Sequence, residues 1–108
     1  MAADEIETYT EKLRTAGADT SKADEDLLSI VAAAEGAATR ASIAAGPDKF
    51  GSKFRDGKEG FDNTMDSIND GTRNIATSFR RMSRGQYQAA DAIDAKQQAA
   101  TENFDRLV

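Results

Sequence analysis

Hydrophobic residues recur three and four positions apart along most of the chain, which is the spacing of an amphipathic helix. In the first half, one sevenfold series includes Ile6, Leu13 and Leu27, and a second series three residues later includes Tyr9 and Ile30. Together the two series fill the a and d positions of successive heptads, a pattern typical of a helix that packs lengthwise against another helix. We therefore predict that the first half forms one long helix.

The strongest interruption of this pattern is Gly46-Pro47, because proline lacks the amide hydrogen that a helix interior needs and glycine favours turns. It divides the chain into a first helix of about residues 4–44, a turn at about 45–49 and a second helix of about 50–100, followed by a flexible C-terminal tail. We expect these elements to form a single helical-hairpin domain.

A second interruption is possible at residues 17–21, where a glycine is followed by residues that often cap helices. The heptad series keeps its register through this segment. One continuous first helix is therefore favoured over two shorter ones.

Large apolar side chains of the second half recur every seven residues. A small residue lies three positions after each of them. The large members are Phe54, Phe61, Ile68, Ile75 and Met82, with Phe79 on an adjoining position, and the small members are Gly57, Thr64, Gly71, Ser78 and Gly85. Each glycine inside a helix costs about 1 kcal/mol relative to alanine, so this repetition predicts another helix backbone close to the small residues. Alanines of the first helix would supply the facing surface.

The predicted fold class is all-α: an antiparallel two-helix hairpin that becomes a four-helix bundle on dimerisation. A two-helix hairpin encloses no core, so a second hairpin is needed to cover its apolar stripes. The residues expected to form the hairpin and dimer seam are Leu13, Leu27, Ile30, Phe61, Ile68, Ile75, Phe79 and Met82.

Composition favours a helical module that gains stability from a partner. Val, Ile, Leu and Phe number only 17 of 108 residues, whereas alanine alone numbers 20. Residues 1–44 carry a net charge of −5 and residues 45–86 a net charge of +2, which favours pairing of the two helices. The overall net charge of −5 argues against nucleic acid as a partner, since phosphate binding needs a concentrated cationic face.

Residue types that carry much enzymatic and metal chemistry are missing. The chain has no Cys and no His, which excludes disulfides and removes the commonest zinc ligand and the commonest general base. Asp66 to Gly71 resembles a calcium loop in its acidic positions, but Ile68 and Thr77 stand where ligands are needed. We therefore expect no enzymatic activity, no metal or cofactor and no small-molecule substrate.

The sequence also lacks a clear membrane or signal segment. Its longest uncharged run, Leu27 to Ala34, is far shorter than the ~18 apolar residues of a membrane span. The N-terminal residues lack the basic and apolar regions of a secretory signal. Export, if it occurs, is expected to proceed without a Sec-type signal.

The most informative short motif is Tyr87-Gln88-Ala89-Ala90-Asp91. Residues four apart lie on the same face of a helix, so Tyr87 and Asp91 would form a compact patch of one aromatic ring and one carboxylate. A groove of another protein can bind such a patch. The alternative is an ordinary tyrosine packed near the end of the bundle beside a solvated aspartate.

Taken together, these features resemble the helical-hairpin substrates of type VII (ESX) secretion, the WXG family, and in particular its EspC-like branch of excreted actinobacterial proteins. The resemblance rests on a chain of about a hundred residues with a first helix of about forty, on the turn and on the Tyr87–Asp91 motif. The turn residues that carry it are Gly46, Pro47, Phe50 and Phe54. The chain has no Trp and so lacks the Trp-x-Gly of the family's name, as the EspC-like branch also tends to.

The resemblance implies a function and a set of partners. In the family, a Tyr-x-x-x-Asp/Glu element after the second helix is an export signal recognised by the secretion ATPase, which assigns that role to Tyr87 and Asp91. Family members pair as homodimers or heterodimers, so the implied partners are a second copy or a homologous hairpin protein. The implied location is outside the cell or in its envelope, reached from the cytoplasm.

Two other functions remain open at this stage. The chain could be a cytoplasmic coiled-coil adaptor or structural bundle that never leaves the cell. It could also be the targeting partner of a larger secreted toxin, binding that protein's own helical hairpin.

Overall fold

The computed structural model describes residues 2–108 and is all-helical, with no strand among those residues. The helices are α1 (Ala3–Ala44), α2 (Lys49–Arg55) and α3 (Phe61–Leu107). The all-α prediction is confirmed. The segment predicted as one second helix needs correction, because it is divided into α2 and α3, and α3 continues to Leu107 where a flexible tail was expected.

α1 is a continuous helix of 42 residues that runs through the possible interruption at residues 17–21. Asp4 and Glu5 lie in its first turn, where carboxylates favour the partial positive charge of a helix N-terminus. It ends before Gly46, whose φ of 87° belongs to the left-handed region that glycine tolerates best. The Gly46 amide donates to the Ile43 carbonyl at 3.0 Å, which closes the last turn.

α2 is a short helix held in place at both of its ends. At the start, Asp48 is the N-cap, and its carboxylate accepts a hydrogen bond from the Gly51 amide at 3.0 Å. At the end, the Arg55 guanidinium donates to the carbonyls of Ser42 at 2.9 Å and Gly46 at 2.7 Å. These bonds tie α2 back to the end of α1.

Residues 56–60 break the predicted second helix. Gly57 has a φ of 94°, a conformation that no residue inside an α-helix adopts. The break brings the rings of Phe54 and Phe61 together in a stacked pair with centroids 4.7 Å apart. Because these two phenylalanines keep the sevenfold spacing, the periodicity of the sequence continues across a segment that is not helical.

Contacts divide the chain into two packed units, each with one segment of α1 and one of α3. The terminal unit contains the residues up to Lys22 together with Phe79–Val108, and the central unit is Ala23–Ser78. Buried side chains in both units are mostly small or polar. In the terminal unit they are Thr10, Ser83 and Ala90, and in the central unit they are Asp24, Val31, Asn69 and Ala76.

None of the large apolar residues of the predicted seam is buried, and half of them are exposed. In the central unit, Ile30, Ile68 and Ile75 are 59%, 54% and 54% exposed, and in the terminal unit Met82 is 53% exposed. The other seam residues are half-buried; they are Leu13 and Phe79 in the terminal unit and Leu27 and Phe61 in the central unit. The buried positions of α3 therefore lie one residue after the predicted series.

The small-residue row of α3 also differs from its predicted role. A Cβ atom added at Gly71 or at Gly85 would have no neighbouring atom within 4 Å, so no helix of the chain approaches them closely. Gly57 lies outside the helices. The buried residues of the neighbouring row are Ala76 in the central unit and Ser83 and Ala90 in the terminal unit, and Ser83 bonds to the Gly17 carbonyl of α1.

The hydropathy of α1 was not expected, because no membrane-spanning segment was predicted. This helix contains an 18-residue window of mean hydropathy 1.3, long and apolar enough by length and composition to cross a membrane. Core helices of soluble proteins and signal sequences pass the same test, which makes it weak evidence. Only 6% of the window is buried in the structure.

Candidate recognition site

Tyr87 and Asp91 lie one turn apart on α3, within the terminal unit. They are part of a helix that continues for 16 residues to Leu107, and α1 packs beside them. Both residues therefore lie inside the helix and not on a tail beyond it. The pair is a feature of a packed helical surface.

The Tyr87 ring lies against the backbone of α1 at Gly17. A Cβ atom at Gly17 would stand 2.8 Å from Cε2 and 3.0 Å from Cδ2 of the ring, which is too close for a real side chain. The ring can lie here only because Gly17 has no side chain. Tyr87 remains 38% exposed, so part of the ring is open to another molecule.

Small residues bring the two helix segments close together at this point. The Ser83 hydroxyl donates a buried hydrogen bond of 2.7 Å to the Gly17 carbonyl. Ala90, between Tyr87 and Asp91, has no exposed surface. A hydroxyl that is buried and bonded in this way holds the separation of the helices and leaves no unsatisfied donor.

Arg14 of α1 joins the carboxylates of α3. Its Nη2 donates to Asp91 Oδ1 at 2.8 Å and to Asp94 Oδ2 at 2.7 Å. The hydrogen bond to Asp94, followed by that to Asp91, raises the pKa of the Arg14 guanidinium above its ordinary value. The side chains of Arg14, Asp91 and Asp94 are 38%, 73% and 45% exposed, so solvent screens the pairs and their main effect is on orientation.

This surface offers an aromatic ring beside two carboxylates whose positions are set by α1. It contains no nucleophile paired with a base, and a partner would bind it with an apolar recess and a cationic group. The sequence pattern predicted a site at Tyr87 and Asp91 but did not indicate Arg14, Gly17 or Asp94 as part of it. Gly17 was noticed only as a possible helix break, and no short-range signal connects it to a residue 70 positions away.

The predicted turn residues lie in the central unit. Gly46 makes the turn after α1, and Pro47 follows it. Phe50 is 70% exposed on α2, whereas Phe54 is 37% exposed and stacks on Phe61. These residues shape the connection between helices, and Phe50 alone leaves most of its ring in solvent.

The central unit carries its own cross-helix ion pair. Arg73 of α3 donates to Glu35 of α1 and, at 3.1 Å, to Asp70 one turn earlier. Among residues 2–108, no three carboxylates come together in an arrangement that could hold a metal ion.

Comparison with protein-family models, with curated proteins and with solved structures gave no match to the chain.

Proposed function

We propose that the chain is a non-enzymatic helical hairpin that pairs with a second hairpin to form a four-helix bundle and is exported by a type VII secretion machine. Tyr87 and Asp91 act as the export signal that the secretion ATPase recognises. The observation that carries the proposal is the exposure of the large apolar residues, which leaves a helical surface suited to a partner.

The central unit supports pairing through one side of its two helix segments. Ile68 and Ile75 each lie one residue before a buried position of α3, and Ile30 lies one residue before buried Val31 of α1. In antiparallel helices, residues offset in the same sense from the contact positions lie on the same side of the pair. In the proposed hairpin the three isoleucines therefore share one face, which a second hairpin would cover.

The thin core gives a physical reason for pairing. Val31 is the one branched aliphatic residue buried among the described residues, and the other buried apolar residues are Ala76 and Ala90. Domains that bury so little apolar surface are marginal alone, and association adds the burial that they lack.

The export role is supported by the accessibility of the Tyr87–Asp91 pair together with the resemblance described above. Tyr87 is 38% exposed and the Asp91 side chain 73% exposed, so both can be contacted in the folded chain. The two side chains are one helical turn apart, the spacing at which a single groove can bind both.

The test is export of Tyr87→Ala from a cell that carries a type VII secretion system. The proposal expects the variant to stay inside the cell while its helicity by circular dichroism equals that of the parent. Tyr9→Ala is the matched control, because Tyr9 is the other tyrosine, lies on α1 and is 52% exposed. Normal secretion of Tyr87→Ala would contradict the proposed signal.

Two observations on the parent chain distinguish the other functions. A parent chain that never reaches the culture filtrate would be an intracellular adaptor. Co-purification with a larger helical-hairpin protein would instead identify the chain as that protein's targeting partner.

A further inference from the structure

The α1 residues that contact Tyr87 and Asp91 belong to a segment more than 60 positions earlier in the chain. Gly17 provides the space for the Tyr87 ring, and Arg14 binds one oxygen of Asp91. Neither contact exists unless α1 is packed on α3 in the terminal unit. The geometry of the pair therefore depends on the folded state of that unit.

We infer that Arg14 and Gly17 are positioning residues of a composite recognition surface, so that a partner binds Tyr87 and Asp91 only when α1 is packed against α3. This inference rests on the proposed function, because it concerns the same pair. It adds that the signal is a folded surface and that its partner contains an apolar recess for the ring edge and a cationic group for the carboxylates.

The physical basis is the ordering of side chains before binding. A tyrosine or aspartate on an exposed helix samples several rotamers, and a partner that binds one of them must restrict the others at a cost in entropy. The α1 backbone at Gly17 restricts the ring, and Arg14 restricts Asp91 by bonding to its Oδ1. A second hydrogen bond, from Arg14 Nη2 to Asp94, restricts the guanidinium itself.

Gly17→Ala tests the ring contact. The added Cβ would displace the Tyr87 ring from α1, while alanine favours the helix more than glycine does. We expect helicity to be kept and export to fall at least about tenfold, the loss typical of one anchoring contact. Gly36→Ala is the matched control on α1, since its Cβ would meet only Arg40 Nη1 at an ordinary 3.5 Å.

A spectroscopic measurement reports the ring position without export. The chain has no Trp and two Tyr, so in a Tyr9→Phe background all tyrosine emission comes from Tyr87. Acrylamide should quench this emission more strongly in Gly17→Ala than in the parent or in Gly36→Ala. Equal quenching in all three chains would overturn the ring contact.

Arg14 provides a second variant that does not alter the helix backbone. Arg14→Ala should reduce export, and Arg14→Lys should restore part of it, because lysine keeps the charge but bonds as a single point rather than a planar fork. A purely structural role would show instead as a loss of helicity that lysine and alanine share.

The outcomes distinguish the inference from the proposed function. If Tyr87→Ala blocks export while Gly17→Ala and Arg14→Ala are exported like the parent, the signal stands and the composite surface is overturned. If Tyr87→Ala is exported normally, the proposed function itself fails. Should Gly17→Ala lose helicity, the Arg14 pair of variants decides the inference.

Discussion

Ile75→Asp separates contacts within the chain from contacts between copies. Ile75 is 54% exposed, whereas its neighbour Ala76 has no exposed surface. In a single chain the new carboxylate stays in water, and the change loses only the buried half of the isoleucine, about 1 kcal/mol of the free energy of unfolding. In the proposed dimer the carboxylate would be buried between helices without a partner.

The magnitude for the dimer follows from the surface that Ile75 leaves exposed. Full burial of an isoleucine side chain stabilises by about 1.5–3 kcal/mol, so covering the exposed half contributes about 1 kcal/mol or slightly more per copy. Two symmetric copies lose about 2–3 kcal/mol, which raises the dissociation constant by about 30- to 150-fold. Desolvation of the carboxylates adds to this loss.

The assay is sedimentation equilibrium for the mass and circular dichroism for the helicity, both over a range of concentrations. Ala76→Asp is the matched control, since its carboxylate would be buried inside the central unit and should unfold the chain at every concentration. The dimer face is in the wrong place if Ile75→Asp dimerises as tightly as the parent.

Three further changes test particular contacts. Gly71→Ala should raise the free energy of unfolding of the single chain by about 0.5–1 kcal/mol, because alanine favours the helix and a Cβ there meets no atom within 4 Å. A destabilised monomer in a urea titration would contradict the open position. Gly51→Ala should lower the melting temperature, since its Cβ would clash with the Gly46 carbonyl oxygen. An unchanged melting temperature would contradict that close approach. Asp48→Ala should lower the free energy of unfolding by about 1 kcal/mol, because α2 loses its N-cap, and should speed hydrogen exchange at the Gly51 amide. Unaltered exchange at that amide would contradict the cap.

Periodicity predicted the helical class and the first helix because α1 obeys one heptad register over its whole length. Gly46-Pro47 was identified as a break because both residues have strong local preferences. The break at residues 56–60 was missed for the opposite reason: Phe54 and Phe61 stay seven apart, and only the backbone at Gly57 shows that no helix joins them.

The periodicity of the sequence does not determine which face of α3 packs against α1, and the reason is steric. We predicted the large residues of α3 in the hairpin and dimer seam, whereas the central unit buries Ala76 and leaves Ile75 exposed. Two adjacent rows on a helix share the same period, so periodicity alone does not determine which row faces α1. Small side chains let helix backbones approach more closely, and the buried row of α3 consists of Asn69, Ala76, Ser83 and Ala90, of which the first three are smaller than the large apolar residue one position earlier.

The candidate site shows the same division between local and long-range information. Tyr87 and Asp91 are four residues apart, so their shared face follows from helix geometry alone. Their contacts with Gly17 and Arg14 depend on the register between α1 and α3. A difference of one residue in that register would place other side chains opposite the pair. The periodicity of a single sequence does not determine the register to one residue.

The most direct test of the account is the mass of the parent chain in solution, measured by sedimentation equilibrium at several concentrations, alone and with the neighbouring gene product. We expect a complex that dissociates on dilution. Its mass is twice the 11.6 kDa chain mass if the partner is a second copy, and the sum of the two chain masses if the partner is a homologous hairpin. A fully helical chain that stays at 11.6 kDa under every condition would contradict it, because its apolar faces would then need no partner.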